Sequence, residues 1–280
     1  MKKFGYIFVV LFGLALLLVC FFSREDKLSF DNREISIQEA NGCDVFAEKK
    51  LQGTFVLYDK TSDKIFYCNK KRMFEGKIPA STFKIVNALN ALENKIVTDE
   101  NELFVWDGVE RDLPTWNQDT SLATGMKNST VWFYQEISRR TGEEKMQAFV
   151  SLLEYGNQNI GGGLDRFWLD GDLRISPLEQ VDFLNKLYQK KLPLSKEAQE
   201  KVIKMITLEK GEGWALYGKT GLGELDKKTG PLGWLVGFSV FEDKSFIYAM
   251  NVDLEKASPA VRLEIVKKIL VNNLALPKGN

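Results

Sequence analysis

Hydrophobic and polar positions change their spacing along the chain, and the change separates predicted strands from predicted helices. Strand-forming residues at 53–59 and 64–68 flank a short polar turn and predict a β-hairpin. Near the other end, the segments 214–219, 232–241 and 245–254 predict three strands joined by tight turns. Strands are therefore expected at both ends of the chain.

The middle of the chain has helical spacing instead. After Ser81, apolar residues recur at helical intervals and predict a helix with one buried face: Ile85, Val86, Leu89, Leu92 and Ile96. Further helices are predicted at Ser129–Gly142, at Glu143–Leu153, after Ser176-Pro177, after Ser195, and from Pro259 to Leu274.

This order predicts an α+β fold. We expect an antiparallel sheet built from both chain ends and flanked by helices, with an inserted all-helical lobe. The expected domain is 24–280, with an α/β lobe at about 24–80 and 212–280 and a helical lobe at about 81–211. A small-molecule site is expected in the cleft between the lobes.

The first 23 residues are expected to act as an export segment. Lys2 and Lys3 precede an uncharged apolar run from Phe4 to Phe22, and polar residues resume at Ser23. Three forms stay open: a cleaved signal peptide, a lipoprotein attached through Cys20, and an uncleaved membrane anchor. Each makes the rest of the chain periplasmic or otherwise exported, with membrane contact only through this segment.

Cys43 and Cys68 are the cysteines that follow the export segment. In an oxidising compartment two such thiols are able to pair. The sequence contains no information on the geometry that a disulfide needs. A disulfide and two free, partly buried thiols therefore both remain open.

Composition narrows the possible chemistry. Lys and Arg number 38, as do Asp and Glu, so the formal net charge is zero, which disfavours a nucleic-acid partner. The chain has no histidine, which excludes a Ser-His-Asp triad, a Cys-His pair and a His-ligated metal site. Any general base must be a carboxylate, a lysine, a tyrosine or a group made from one of them.

A serine and a lysine three residues apart begin the first predicted helix. Ser81 and Lys84 share one helix face, and Ser81 stands where free backbone N–H groups are able to hold an oxyanion. Burial would make Lys84 neutral and able to accept the serine proton. The alternative is a helix-capping serine beside a solvated lysine, and the pair alone does not decide between them.

Three more motifs follow in order: Ser129-Thr130-Val131, Tyr155-Gly156-Asn157 and Lys219-Thr220-Gly221. With Ser81 and Lys84 they resemble the signature set of penicillin-recognising serine enzymes, and specifically the class D, oxacillinase-type β-lactamases. The resemblance runs from Gly53 to about Arg262. It implies the penicillin-recognising serine hydrolase/transpeptidase-like fold, a β-lactam antibiotic as substrate, no metal, and no cofactor beyond CO2.

The resemblance also implies a role for each matched residue. Ser81 is expected to form the acyl-enzyme, and Lys84, carboxylated by CO2, to act as its base. Ser129 is expected to pass a proton to the lactam nitrogen, with Lys219 beside it, and Trp168 to hold the carbamate. The substrate-binding residues are expected to be Val131, Thr220, Gly221, Leu222 and Arg262.

Within that set, backbone N–H groups of Ser81 and Leu222 are expected to form the oxyanion hole. Val131 is expected to form an apolar wall beside Lys84, and Arg262 to pair with the substrate carboxylate. Leu222 departs from the family, in which an aromatic residue is common at this position. The alternatives are a core aromatic for Trp168 and a surface arginine paired with a glutamate for Arg262.

The triplet Tyr155-Gly156-Asn157 is interpreted as a loop-shaping motif, with Gly156 as the left-handed cap of the third predicted helix. Two other functions remain open for the whole chain. One is a penicillin-binding cell-wall peptidase, and the other is the β-lactam-binding domain of a sensor; both become acylated without turning over. The sequence predicts no oligomeric state and no range of β-lactam substrates.

Overall fold

The structure, a computed structural model, describes residues 26–30, 33–223, 230–255 and 257–278. The predicted export segment lies outside the described residues. Within the described part of the chain, one eight-stranded sheet has the order β1-β2-β4-β3-β8-β7-β6-β5. Its strands are β1 (Asp26–Phe30), β2 (Arg33–Glu39), β3 (Gln52–Asp59), β4 (Lys64–Cys68), β5 (Thr207–Gly211), β6 (Trp214–Gly223), β7 (Leu232–Phe241) and β8 (Lys244–Asp253).

The described helices lie mostly between β4 and β5 in the chain. They are α1 (Asp44–Glu48), α2 (Lys84–Glu93), α3 (Leu122–Asn128), α4 (Val131–Thr141), α5 (Glu143–Leu152), α6 (Pro177–Tyr188), α7 (Lys196–Met205) and α8 (Val261–Asn272). No helix in the described ranges is long and apolar enough to cross a membrane.

The predicted α+β class is confirmed, but the sheet is mixed rather than purely antiparallel. β2 pairs with β4 in parallel, while the other neighbouring strands are antiparallel. The hairpin of β3 and β4 brings β4 alongside β2, a long-range pairing that hydrophobic spacing does not encode. The strands predicted at 232–241 and 245–254 are confirmed to within one residue at each end.

Both faces of the central strands are covered, which explains their nearly continuous apolar sequence. Along β3, Val56 and Tyr58 belong to the core on the side of helices α2 to α6. Phe55 and Leu57 alternate with them and pack into a second core beneath α8. The sheet therefore separates two hydrophobic cores, and helices α2 to α6 lie on the side that carries Ser81.

Cys43 and Cys68 form a disulfide and are not free thiols. Cys43, just before α1, forms a disulfide with Cys68 at the end of β4, and their Cα atoms are 5.5 Å apart. Cys68 is buried in the core beneath α8. The disulfide thus ties the start of α1 to the central part of the sheet.

Candidate active site

Ser81 lies in a tight turn that precedes the first long helix. The turn, Ala80–Phe83, is a 3-10 helix that runs directly into α2 at Lys84. Ser81 thus opens a helical segment, as predicted, but the first turn of that segment is 3-10 and not α. Ala80 has a φ of 49°, a left-handed conformation that costs roughly 1–2 kcal/mol for a residue with a side chain. Such strain is held by surrounding structure and is often found beside reactive groups.

Hydrogen bonds from three directions hold this turn. The Thr82 hydroxyl donates to the Pro79 carbonyl over 2.7 Å and accepts from the Gln180 amide over 3.0 Å. The indole N–H of Trp234, on β7, donates to the Ile78 carbonyl over 2.9 Å. The turn is therefore fixed both to helix α6 and to the sheet.

Lys84 is completely buried, and its Nζ donates to Ser81 Oγ over 2.7 Å. Burial, with a smaller effect of the nearby Lys219 ammonium, holds the pKa of Lys84 well below its usual range. The alternative of a solvated lysine is therefore wrong. A neutral amine in contact with a serine hydroxyl is able to accept its proton.

An aromatic wall surrounds this pair. Trp168 is fully buried and stacks on Phe83, with ring centroids 5.5 Å apart. The Tyr134 ring centroid lies 5.6 Å from Lys84 Nζ. Trp168 Nε1 is buried without a hydrogen-bond partner among the described residues. An unpaired buried donor costs about 1–3 kcal/mol, so this N–H is suited to an acceptor that enters or forms beside it.

Ser129 and Lys219 form a second serine–lysine pair. Lys219 Nζ donates to Ser129 Oγ over 2.9 Å and to the Thr220 carbonyl over 3.0 Å. Burial, followed by the repulsion of Arg262, lowers the pKa of Lys219 to about 7. Near neutral pH this lysine is thus able to give up and regain a proton.

The sequence predicted that Ser129 begins a helix, but in the structure Ser129 lies between α3 and α4. It has a φ of 54° and caps the end of α3. Two indoles that the sequence analysis did not identify hold this turn. Trp116 Nε1 donates to the Asn128 carbonyl over 3.0 Å, and Trp132 Nε1 donates to the Trp116 carbonyl over 2.7 Å. Trp116 lies in an irregular polar stretch, so no periodicity marks it.

Arg262 lies against the strand that carries Lys219. Its Nη1 donates to the Gly221 carbonyl, and its Nε donates to the Pro259 carbonyl over 2.7 Å. Glu264, the glutamate nearby on α8, pairs with Lys49 instead. The alternative of an arginine paired with a helix glutamate is therefore wrong, and Arg262 is placed beside the Lys219-Thr220-Gly221 segment.

The C-terminal part of β6 lies close to the Ser81 turn because its glycines have no side chains to keep the two apart. A Cβ on Gly221 would lie 3.2 Å from the Pro79 carbonyl oxygen, and one on Gly223 would lie 3.3 Å from the Ala80 Cβ. Leu222, between them, is half exposed. Val131 is the first residue of α4 and is partly buried. A cavity of about 400 Å³ lies beside Lys219 and Thr220.

The Tyr155-Gly156-Asn157 triplet connects the Ser81 turn to the loop that carries Trp168. The Tyr155 hydroxyl accepts from Gln180, which also donates to Thr82. Asn157 exchanges hydrogen bonds of 2.9 Å with the backbone of Arg174. The prediction that Gly156 caps a helix is wrong, because α5 ends at Leu152; Gly156 is instead packed against the Arg174 backbone.

Comparison with known proteins gives one consistent family. The model described as "Penicillin binding protein transpeptidase domain" matches residues 53–271. A probable β-lactamase of Bacillus subtilis, YbxI, is 40% identical and covers 96% of this chain and 98% of its own length. OXA-48 of Klebsiella pneumoniae is 40% identical over 83% of this chain and 87% of its own.

Solved structures agree. The class D β-lactamase FUS-1 from Fusobacterium nucleatum has a TM-score of 0.82 and 40% identity, covering 86% of this chain and 100% of its own.

Among the relatives found by sequence, the regulatory protein BlaR1 of Bacillus licheniformis is also similar, at 35% identity over 80% of this chain. The match covers only 37% of BlaR1.

Proposed function

The chain belongs to the penicillin-binding transpeptidase-domain family and, within it, to the class D serine β-lactamases, and we propose that it hydrolyses penicillins through an acyl-enzyme on Ser81. β-Lactam hydrolysis is the activity named for its relatives. One observation carries the residue assignment: the 2.7 Å hydrogen bond from the buried Lys84 Nζ to Ser81 Oγ.

In the acylation step, Ser81 Oγ attacks the lactam carbonyl while its proton passes to the base at position 84. The lactam C–N bond then breaks, and the nitrogen takes a proton from Ser129 Oγ. Lys219, 2.9 Å from that oxygen, restores the serine proton. The backbone N–H groups of Ser81 and Leu222 hold the oxyanion; the close approach of Gly221 and Gly223 to the turn supports this role for Leu222.

We propose that CO2 carboxylates Lys84, because only a neutral amine reacts with CO2 and burial favours that form. The carbamate supplies a carboxylate base beside Ser81. Trp168 supports this assignment, since its buried N–H has no acceptor among the described residues and a carbamate oxygen provides one. After acylation the base passes the Ser81 proton to solvent, and Lys219 regains its own proton there. In the deacylation step the base takes a proton from water as the water oxygen attacks the ester carbonyl, and it returns that proton to Ser81 Oγ as the ester C–O bond breaks.

The substrate carboxylate is proposed to lie between Arg262 and Thr220, beside Lys219. Arg262 contacts the Gly221 carbonyl, so its guanidinium is already held against this strand. Planar guanidinium groups suit carboxylates. Val131 and Leu222 are proposed to give the cleft its apolar surfaces. We further propose that the enzyme works outside the cytoplasm, which the Cys43–Cys68 disulfide supports.

The test compares Ser81→Ala, Lys84→Ala and wild type by penicillin turnover and intact-protein mass. Ser81→Ala should show no acyl mass. Lys84→Ala should become acylated slowly and stay acylated, because water is a poor nucleophile without a base. Labelling of Ser81→Ala at another residue would remove Ser81 as nucleophile. A wild type that takes one acyl group and stops would favour the sensor function, to which the similarity with BlaR1 points.

A further inference from the structure

Helices α2 and α4 pack against each other through a row of buried polar side chains that starts at Lys84. The Lys84 Nζ lies over the Tyr134 ring, at 5.6 Å from its centroid. One turn further along, the Ser138 hydroxyl donates to Asn87 Oδ1 over 3.4 Å. Lys84 and Asn87 are therefore neighbours along one face of α2, opposite Tyr134 and Ser138 on one face of α4.

Asn87 has an amide N–H that nothing among the described residues accepts. Asn87 is completely buried, and its Nδ2 makes no hydrogen bond in the described part of the chain. Side chains on a helix point back toward its N-terminus. Asn87 Oδ1 accepts from Ser138, and the three-residue spacing puts Asn87 next to Lys84 on α2, so Nδ2 is the group of Asn87 left available to Lys84. The next asparagine, Asn90, differs because both ends of its amide are paired, with Thr141 and Asn94.

The surroundings of Lys84 contain too many donors for an unmodified lysine. Trp168 Nε1 and Asn87 Nδ2 are both buried donors without acceptors, and the lysine itself donates to Ser81. The Tyr134 hydroxyl is already bonded to the Leu122 carbonyl. Carboxylation replaces a donor by a group with two acceptor oxygens, and two unpaired N–H groups match it.

We propose that Asn87 is a positioning residue that donates from Nδ2 to the carboxylated Lys84, as a second donor beside Trp168. This inference rests on the carboxylated lysine of the proposed function. In that arrangement Trp168 and Asn87 hold the two oxygens from the loop and from α2. The base is then oriented toward Ser81 and is protected from loss of CO2.

The test measures carbamate occupancy directly. Wild type and Asn87→Leu are titrated with 13C-bicarbonate at fixed pH, and the carbamate carbon is followed by 13C NMR. Loss of a hydrogen bond to a charged group should raise the half-saturating bicarbonate concentration about tenfold or more. The matched control is Asn90→Leu, which loses two hydrogen bonds one turn further from Lys84 and should keep the wild-type value.

The outcomes separate this inference from the proposed function. A folded Asn87→Leu with a half-saturating concentration within about twofold of wild type overturns the role of Asn87. If Asn87→Leu does not fold, Asn87→Ala decides by the same measurement, since it removes the N–H without placing a charge or a new donor beside the carbamate. A wild type without any carbamate signal overturns the carboxylated base and this inference together. A carbamate signal in wild type with an unchanged variant overturns Asn87 alone.

Discussion

Two buried lysines, Lys84 and Lys219, dominate the site at the residue scale. Each contacts a serine hydroxyl, over 2.7 Å and 2.9 Å respectively. Burying an ammonium without a carboxylate partner is unfavourable, so these residues cost stability in exchange for reactivity. In the proposed mechanism the two pairs have different roles. Ser81 and Lys84 supply the nucleophile and its base, and Ser129 and Lys219 supply the proton for the leaving nitrogen.

Replacing Arg262 should weaken recognition of the substrate carboxylate. Arg262→Ala is expected to lose about 1.5–3 kcal/mol of transition-state binding, or roughly tenfold to a hundredfold in kcat/KM for penicillins. Arg262→Lys should recover part of this loss, since it keeps the charge but not the planar fork. Arg139→Ala, an exposed arginine on α4, is the control. An unchanged kcat/KM in Arg262→Ala would remove this residue from the site.

At the scale of elements, the loop that carries Trp168 depends on Gly156. This glycine has a φ of 54°, and a Cβ would lie 2.0 Å from the Arg174 carbonyl oxygen. Gly156→Ala should therefore cost roughly 2 kcal/mol or more in the free energy of unfolding and should also reduce activity. Urea unfolding and penicillin turnover measure the two effects.

Gly108→Ala separates backbone strain from the clash. Gly108 also has a positive φ, 74°, but a Cβ there would meet no atom within 4 Å. This control should lose only the roughly 1–2 kcal/mol that the left-handed conformation costs. Equal losses in both variants would show that contact between Gly156 and Arg174 contributes nothing.

Elements with regular spacing or strong caps were predictable from the sequence, and short or exposed ones were not. Helix α6 begins with a capping box, in which the Ser176 hydroxyl accepts from the Glu179 backbone N–H and the Glu179 carboxylate accepts from the Ser176 N–H. The sequence correctly predicted where this helix starts. Strands β1, β2 and β5 and helices α1 and α3 were missed. β5 is largely exposed, and α3 has only seven residues, so neither has enough apolar positions to establish a period.

The same contrast applies to the site. The one-turn spacing of Ser81 and Lys84 predicted their contact, which the structure shows. The left-handed Ser129 turn and the Trp116 and Trp132 bonds that hold it depend on residues distant in the chain. No local pattern encodes these contacts. The unpaired N–H of Asn87 is likewise visible only once α2 and α4 are packed together.

At the scale of the whole molecule, the disulfide and the proposed active site belong to opposite faces of the sheet. Cys68 lies in the core beneath α8, whereas Phe83 and Trp168 lie in the other core. Closing a loop of 25 residues stabilises the fold by about 3.5 kcal/mol. Replacing both cysteines by serine should lower the free energy of unfolding by about that amount and leave kcat nearly unchanged. A large loss of kcat in the folded variant would contradict this separation.

The two buried lysines also make the stability of the whole molecule depend on pH. In the unfolded chain lysine has a pKa of about 10.4, whereas burial in the folded protein lowers the pKa of Lys219 to about 7 and that of Lys84 well below its usual range. As pH falls from about 10 toward 7, the unfolded state therefore takes up protons that the folded state does not. The free energy of unfolding should therefore decrease as pH is lowered from about 10 to 7. The Lys219 contribution should level off below about pH 7.

Urea unfolding in CO2-free buffer at about pH 7 and pH 10 measures this slope. Lys219→Met removes the penalty of a buried ammonium, so it should be more stable than wild type near neutral pH and should show a smaller slope. Lys145→Met, at an exposed position on α5, is the matched control and should keep the wild-type slope. A Lys219→Met variant that is less stable than wild type near neutral pH would mean that the lysine contributes more through its bonds to Ser129 and Thr220 than burial costs it.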